Sequence, residues 1–452
     1  MIPRLFGTNG IRGVVGQDMT VDLALRVGKS FGSILEPGPV AVARDTRTSG
    51  PMLRDAVVAG ILATGHDVVD AGVLPTPGLQ YVVHTGKFAG GVIVTASHNP
   101  AEFNGIKVVD PLGMELSRPE EERIEGRYFR EEFRLADWST TGHVKPDATA
   151  VGRYLEGILA RVDAELIRAA RLRVVVDCGN GASCGTSPAL LSRLGCEVIS
   201  LNGHPDGSFP GRPPEPVREN LGALVREVVA SKAHLGVAHD GDADRAIFVD
   251  DRGEFVFGDR SLALVAKDIV SKNGGGVVVT PVSSSRCLED VVRAARGTVR
   301  YTKVGAPIVA RTMHEIGAVF GGEENGGMIF PEHQLCRDGA MTMAKVLEIV
   351  ARADQPLSQL LAGLPAYSLH KTSVRYKAQE RDVILARMKT MAAGLRVDDI
   401  DGIKIHYAEG WVLVRPSGTE SIFRIFAEAR TEEGAKALAA RGEALLRNSM
   451  ED

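Results

Sequence analysis

Val40-Ala41-Val42-Ala43, then Ser49-Gly50-Pro51-Met52-Leu53-Arg54-Asp55-Ala56-Val57-Val58-Ala59-Gly60-Ile61, then Gly65 and Asp67-Val68-Val69-Asp70: this stretch reads as strand, helix, glycine, strand. Its ends are short apolar runs rich in β-branched residues. Its middle opens with Ser49 as a helix N-cap and Pro51 in the first turn. Leu53, Ala56, Val57, Gly60 and Ile61 then recur at helical spacing, so one face of that helix is apolar and has to pack on a sheet. The same order returns twice. Val174-Val175-Val176 leads through Leu190, Leu191 and Leu194 to Gly195 and Val198-Ile199. Val277-Val278-Val279 leads through Leu288, Val291 and Val292 to Gly297 and Val299. Strand, helix, strand without a tight hairpin is a βαβ crossover, which joins parallel strands.

Outward from these units, the last stretch changes character. Ser373 to Tyr376, Ile403 to Ile405, Val412 to Val414 and Ile422 to Ala427 follow one another closely, with a helix near Val383 to Met391 and another over Thr431 to Leu446. The fold class expected is therefore α/β: three similar mixed α/β domains with mainly parallel sheets, followed by a small C-terminal α+β domain. The boundaries expected are 1–150, 151–252, 253–365 and 366–452. Pro205 to Pro216 holds too much proline and glycine for regular structure and reads as a surface loop.

Composition agrees with a folded chain of several domains. The 452 residues are 44% hydrophobic and 24% charged, and each domain would hold roughly 150 residues or fewer. Lys and Arg total 53 against 57 Asp and Glu, a net charge of -4, which offers no long-range attraction for nucleic acid or an anionic membrane. No run approaches the length of a signal or a membrane span, so the expectation is cytoplasmic, with neither nucleic acid nor membrane as partner. Cys178, Cys184, Cys196, Cys287 and Cys336 contain no C-x-x-C pair. They read as reduced thiols.

Four constellations carry chemistry. Val92 to Val94 runs into Thr95-Ala96-Ser97-His98-Asn99-Pro100, which places Ser97 at the carboxyl end of a strand, where parallel sheets gather ligands. On its own this turn reads as structural. Asp240-Gly241-Asp242-Ala243-Asp244-Arg245 also follows an apolar strand. Three carboxylates at alternate positions repel one another unless a cation joins them, and a hard, all-oxygen donor set suits Mg²⁺. An EF-hand is excluded because its obligatory glycine position holds Arg245. Gly321-Gly322-Glu323-Glu324-Asn325-Gly326-Gly327 offers carboxylates and an amide that can pair with sugar hydroxyls, or is a plain turn. Arg415-Pro416-Ser417-Gly418-Thr419-Glu420 has the composition of an anion cradle. Gly28-Lys29-Ser30 and Gly179-Asn180-Gly181 look like nucleotide loops, but Leu23 and Cys184 stand where each needs glycine, so no nucleotide is implied.

With these motifs in this order, and with Gly7-Thr8-Asn9-Gly10-Ile11-Arg12-Gly13 ahead of them, the chain resembles the α-D-phosphohexomutases, the family of phosphoglucomutase, phosphomannomutase and phosphoglucosamine mutase. The resemblance covers nearly all of the chain and implies four domains around one central cleft. It implies that Ser97 carries a phosphoryl group and that Asp240, Asp242 and Asp244 bind one Mg²⁺, to which Ser97 adds an oxygen. It further implies that Glu323 and Asn325 meet sugar hydroxyls, that Arg415, Ser417, Gly418 and Thr419 hold the phosphate that is not reacting, and that Arg12 and Arg245 lie near the transferring group. Lys107 matches a family lysine placed to move the hydroxyl proton, which requires a lowered pKa. His98 is the second candidate. The activity implied is interconversion of hexose or hexosamine 6- and 1-phosphates through a hexose 1,6-bisphosphate, by a monomer or homodimer acting on small phosphosugars. The sugar loop departs from the Gly-Glu-x-Ser-Gly-His form of many relatives, because Asn325 and Gly327 stand in it. The Glu-Glu-Asn-Gly-Gly form looks like archaeal-type members and favours glucosamine phosphate over mannose or glucose phosphate. A metal-dependent phosphatase and a non-catalytic phosphosugar-binding protein are the rival readings.

Overall fold

The computed structural model describes residues 4–7, 9–376, 380–417 and 421–450. Each of the three repeated units forms a parallel pair of strands with a helix between them: Val40–Arg44 with Val68–Val73, Arg173–Asp177 with Glu197–Leu201, and Gly276–Pro281 with Gly297–Thr302. A third parallel strand then lies on the other side of the first. These third strands are Gly90–Val94, Leu235–His239 and Phe320–Gly322. After each of them the chain turns back into an antiparallel neighbour, Phe103–Val109, Ala246–Val249 or Met328–Phe330. The sheets are thus mixed, parallel at one side and antiparallel at the other. The repeat extends further than the strand-helix-strand pattern alone, and it puts a return turn at the same place in all three units.

The fourth sheet is antiparallel throughout, in the order Ser368–Arg375, Ile422–Ala429, Gly410–Pro416, Ile403–His406, Arg396–Asp398. Arg381–Met391 and Glu432–Met450 cover it, giving the α+β unit expected of the C-terminal stretch. Three similar α/β domains and a smaller C-terminal one make up the chain.

The first helix shows why composition matters locally. In Gly50–Leu62, Leu53, Val57 and Ile61 are fully buried against Val40 and Val42, worth about 1.5–3 kcal/mol apiece relative to exposure. Gly60 faces another helix, Val21–Gly32, instead of the sheet. A Cβ on Gly60 would lie 2.3 Å from Leu25 O, and one on Gly28 would lie 2.3 Å from Val57 O. Two glycines let these backbones touch, so the Gly28-Lys29-Ser30 sequence is the interior of a packed helix. Ser49 does not cap with its side chain; its hydroxyl accepts from Asn104 Nδ2 at 2.8 Å.

The second and third units share one apolar core, running from Val174, Val237 and Phe248 to Val278, Phe320 and Leu347, while the opposite face of each sheet keeps a smaller cluster of its own around Val175 and Leu224 or Val279 and Val309. Helix Gly339–Ala353 lies in it, and its residues from Gly339 to Val350 are all buried. A helix buried along this stretch, even at Lys345 and Glu348, needs neighbours on every side, which is what joins the two sheets. Pro205 to Pro216 is irregular as expected and is a surface loop on one side only: Pro205, Ser208, Pro210, Gly211 and Pro213 are exposed, while Gly207, Phe209, Arg212, Pro214 and Pro216 are buried. Among the described residues no helix is long and apolar enough to cross a membrane, and the five cysteines are free.

Candidate active site

The return turns of the first two units meet. Ser97, after strand Gly90–Val94, donates its hydroxyl to Asp240 Oδ2 at 2.8 Å, and Asp240 follows strand Leu235–His239. The approach is backbone to backbone as well, since a Cβ on Gly241 would lie 2.5 Å from Ser97 O. Ser97 is fully buried and has φ 53°, the left-handed region that a residue with a side chain enters only when its surroundings hold it there. Its backbone N–H donates to Thr95 Oγ1 at 2.9 Å.

Asp240, Asp242 and Asp244 are all buried, with ligand atoms within 4.8 Å of one another. Local protein cations crowd them. Lys107 Nζ lies 2.7 Å from Asp242 Oδ2 and 3.4 Å from Asp244 Oδ2, and Arg337 Nη2 lies 2.5 Å from Asp244 Oδ2. Arg245 Nε stands 3.7 Å from both Asp240 Oδ2 and Asp244 Oδ1. Thr76 donates its hydroxyl to Asp242 Oδ2 at 2.5 Å and its N–H to Asp242 O at 3.0 Å. Burial and then the charges of Asp244 and Asp242 push Asp240 up to about 7. Asp242 goes the other way: burial opposes its charge, but Lys107 and Thr76 outweigh burial and hold the carboxyl well below the usual range. Asp242 Oδ1 and Asp244 Oδ1 remain buried without a hydrogen-bond partner. Orphaned carboxylate oxygens beside one another are costly unless a cation takes them, so the donor set fits a hard divalent ion such as Mg²⁺.

The two candidates for moving a proton are both at this junction. Lys107, in strand Phe103–Val109, is buried. Burial alone would depress its pKa, but Asp242 and Asp244 outweigh burial and raise it, so the lowered value expected from its role is not what these surroundings produce. His98 lies with Nδ1 3.5 Å from Ser97 Oγ and 3.2 Å from Arg245 Nη2. Because an arginine can only donate, Nδ1 is the acceptor. Burial, then Arg245 and Arg12, lower His98 to about 3, so the ring is neutral. Arg12 donates to Asn99 Oδ1 at 2.9 Å and Ala96 O at 3.3 Å, holding the same turn from the edge strand Ile11–Val14.

The third return turn joins through Arg337, which donates from Nη1 to Glu323 Oε2 at 2.8 Å while its other nitrogen holds Asp244. Glu323 Oε1 accepts from Gly305 N at 3.2 Å, and Asn325 Oδ1 accepts from Gly327 N at 3.1 Å. Asn325 Nδ2 is 3.4 Å from Glu323 Oε2. In the fourth unit, Arg415 Nε donates to Asp401 Oδ2 at 2.9 Å, and the same oxygen accepts from Val304 N at 3.1 Å. Ser417 N donates to Ile422 O at 2.8 Å, closing that hairpin. Gly418 and Thr419 lie outside the described residues. Arg415 is therefore connected to the sugar loop through Asp401, Val304 and Gly305, not by direct contact with Ser97.

Thr76, Arg337 and Arg47 belong to this neighbourhood and escaped the sequence reading. Thr76 follows strand Val68–Val73, so the rule that drew attention to Ser97 could also have found it. Arg337 ends an antiparallel strand, Gln334–Arg337, and has no local signal.

Models of the four phosphoglucomutase/phosphomannomutase domains match this chain in order: alpha/beta/alpha domain I over residues 3–135, domain II over 152–253, domain III over 257–367 and the C-terminal domain over 374–444. A phosphoglucomutase/phosphomannomutase of Thermococcus kodakarensis is 46% identical over 99% of both chains. A protein of Methanopyrus kandleri named as a probable phosphoglucosamine mutase is 45% identical over 96% of each. The crystal structure of a phosphoglucomutase/phosphomannomutase family protein from Burkholderia thailandensis, 30% identical, superposes with a TM-score of 0.90 over 100% of this chain and 99% of its own. With all four domains matched in sequence and the return turns of three of them linked around one serine and three aspartates, the chain belongs to the phosphoglucomutase/phosphomannomutase family of phosphomutases.

Proposed function

We propose that this protein interconverts hexosamine or hexose 6-phosphate and 1-phosphate, with Ser97 as phosphoryl carrier and a hexose 1,6-bisphosphate as intermediate and activator. The observation that carries the reading is Ser97 itself, buried in a left-handed turn with its hydroxyl 2.8 Å from an aspartate of the next domain. A strained serine at a domain junction, surrounded by Arg12, Arg245, Lys107 and three carboxylates, suits transfer of a charged group more than it suits a turn. Ser97, Asp240, Asp242 and Asp244 would hold one Mg²⁺, which when bound neutralises charge on phosphoryl oxygens.

The remaining roles fall to the chain's own side chains. Arg12 and Arg245 would face the transferring group, Glu323 and Asn325 the sugar hydroxyls, and Arg415 with Ser417, Gly418 and Thr419 the distal phosphate. Lys107 is the proton carrier. As an ammonium it can return a proton to the departing hydroxyl; when Asp242 and Asp244 turn to another cation, the burial that remains favours the neutral amine. His98, neutral and accepting from Arg245, would orient that arginine. The domains would run 1–150, 151–252, 253–365 and 366–452, in a cytoplasmic monomer or homodimer.

Glucosamine phosphate is the substrate favoured by the Glu323-Glu324-Asn325-Gly326-Gly327 loop. The name of the Thermococcus relative supports a second reading, broad action on glucose and mannose phosphates. Comparison of kcat/KM across glucosamine, glucose and mannose phosphates separates the two. Ser97→Ala tests the carrier: it is expected to abolish interconversion and to remain one phosphoryl group lighter than wild type after incubation with bisphosphate. Full activity in Ser97→Ala would overturn the mechanism, and steady release of inorganic phosphate without isomerised sugar would identify a phosphatase.

A further inference from the structure

Arg47 is the most deeply buried arginine of the first domain, with no exposed side-chain surface, yet it lies outside the ligand-facing residues described above. All five of its side-chain N–H groups have a use. Nε donates to Asp45 Oδ2 at 3.0 Å. Nη1 donates to Pro100 O at 2.5 Å and Phe103 O at 2.8 Å, and Nη2 to Ser97 O at 2.9 Å and Asn99 O at 2.6 Å. Four of the five acceptors are therefore main-chain carbonyls, three in the turn that carries Ser97 and one on Phe103, the first residue of the strand that follows. A buried guanidinium is tolerated only when its fork is saturated, and here the turn is what saturates it.

The other end of the same turn is tied to the same group. Asp45 Oδ2 accepts from Thr95 Oγ1 at 2.6 Å, and Thr95 Oγ1 accepts from Ser97 N at 2.9 Å. Both the N–H and the C=O of Ser97 are thus fixed by the Asp45-Arg47 pair, one through Thr95 and one directly. This explains how a residue with a side chain stays at φ 53°. The second domain seals the arrangement: Arg47 stacks 5.1 Å from the ring of Phe209, in the buried proline-rich segment, and Thr46 Oγ1 donates to Asn180 O at 2.8 Å.

We infer that Arg47 is a positioning residue that aims Ser97 Oγ, held in place by Asp45 and by Phe209 from the second domain, and that it decides how faithfully the phosphoryl group passes to sugar instead of to water. The inference rests on Ser97 as phosphoryl carrier. In the faithful step the bond between Ser97 Oγ and phosphorus breaks, one forms to a sugar hydroxyl, and the hydroxyl's proton ends on Ser97 Oγ. In the leak the same group goes to water, giving inorganic phosphate and the same free serine.

The test uses full-length enzyme phosphorylated with glucose 1,6-bisphosphate, then given hexose phosphate, with bisphosphate formed and inorganic phosphate released measured in one single-turnover experiment. Arg47→Lys keeps the charge and loses the fork. Its expected kcat is roughly 100-fold lower, the cost of a displaced reacting group, with KM for the hexose phosphate within a factor of about two and the sugar-to-water ratio at least about tenfold lower. Loss of stability alone lowers the active fraction and leaves that ratio unchanged. An unchanged ratio in Arg47→Lys overturns the inference. Phe209→Leu decides the matter if Arg47→Lys does not fold, because it removes only the stacking ring: a ratio lowered a few-fold supports the inference, and a wild-type ratio overturns it. If wild-type enzyme neither gains a phosphoryl group nor transfers it to sugar, the mutase reading itself has failed before any variant is compared.

Discussion

Replacing Arg337 by Met tests whether the sugar loop and the aspartate cluster are one electrostatic unit. Arg337 is 6% exposed and bridges Glu323, 4% exposed, and Asp244, 2% exposed, at 2.8 and 2.5 Å. Met fills much of the stem's volume, so the main loss is the charge. Two hydrogen bonds between charged partners are worth about 1.5–3 kcal/mol each. Removing one member of a buried pair costs about 3–5 kcal/mol, because the partner charge stays behind. Among the described residues Glu323 keeps Gly305 N and Asn325 Nδ2, and Asp244 keeps Lys107 at 3.4 Å and Arg245 at 3.7 Å. The expected destabilisation is about 4 kcal/mol in the first unfolding transition, read from denaturant midpoints in EDTA. Saturating Mg²⁺ should recover about half of it by matching the Asp244 charge, and Arg337→Met combined with Glu323→Gln should recover a share of the rest. A deficit below about 1 kcal/mol in EDTA, or one that Mg²⁺ leaves untouched, would refute the coupling.

Three other perturbations probe separate links. Lys107→Met should lower kcat by about 10²- to 10⁴-fold, the usual range for a positioned proton carrier; steady-state turnover within tenfold of wild type would take Lys107 out of that role. Gly241→Ala forces a Cβ to 2.5 Å from Ser97 O, which is main chain and cannot swing away, so calorimetric Mg²⁺ affinity and phosphorylation of Ser97 should fall together at a stability cost of about 1–3 kcal/mol; normal behaviour in both would show that the domains slide apart freely. Lys404 is 3% exposed, donates to Val282 O at 2.7 Å across the junction of the last two domains, and burial lowers it to about 8. Its folded pKa is below the unfolded one, so between the two the unfolded chain binds more protons and stability rises with pH. From pH 8 to about 10.5 wild type should gain up to roughly 3 kcal/mol relative to Lys404→Met, and thermal melts with a constant gap over that window would contradict it.

The chain revealed its first three domains because a βαβ unit has to write its core twice, once as an unbroken apolar strand and once at helical period, and Val40 to Asp70 does both within about thirty residues. It concealed two things for opposite reasons. The shared core of the second and third units depends on the helix Gly339–Ala353 being buried all round, and an apolar helix does not state which sheets it lies between. The buried side of the Pro205 to Pro216 loop was hidden because proline and glycine mark the absence of regular structure, not the absence of burial; Arg212 within it donates to His239 O at 2.7 Å and to Asp177 Oδ2 at 2.8 Å, directly behind the aspartate loop. Ser97 and the aspartates were legible since each stands at a strand's carboxyl end. Arg337 and Arg47 were not, because apart from Asp45 beside Arg47 their partners are distant in sequence: Asp244 and Glu323 for Arg337, and main-chain carbonyls from Ser97 to Phe103 for Arg47.

Charge balance gives the last step. Asp240, Asp242, Asp244 and Glu323 are buried carboxyl groups and Glu115 is a half-buried fifth, against four cations, Lys107, Arg245, Arg337 and Arg12, in contact with them or acting on them. The protein is close to neutral here by itself, because burial opposes the charge of Asp240 and of Glu115. A phosphoryl group on Ser97 would bring about two negative charges into this enclosure, and a divalent cation on the orphaned Oδ1 atoms of Asp242 and Asp244 would bring two positive ones. Either alone leaves buried charge uncompensated, which costs several kcal/mol per ion, whereas the two together restore the balance already built. In the mutase proposed above, phosphorylation of Ser97 and occupancy of the aspartates would therefore favour one another, with Arg47 holding the serine turn and Arg337 tying the aspartate loop to Glu323.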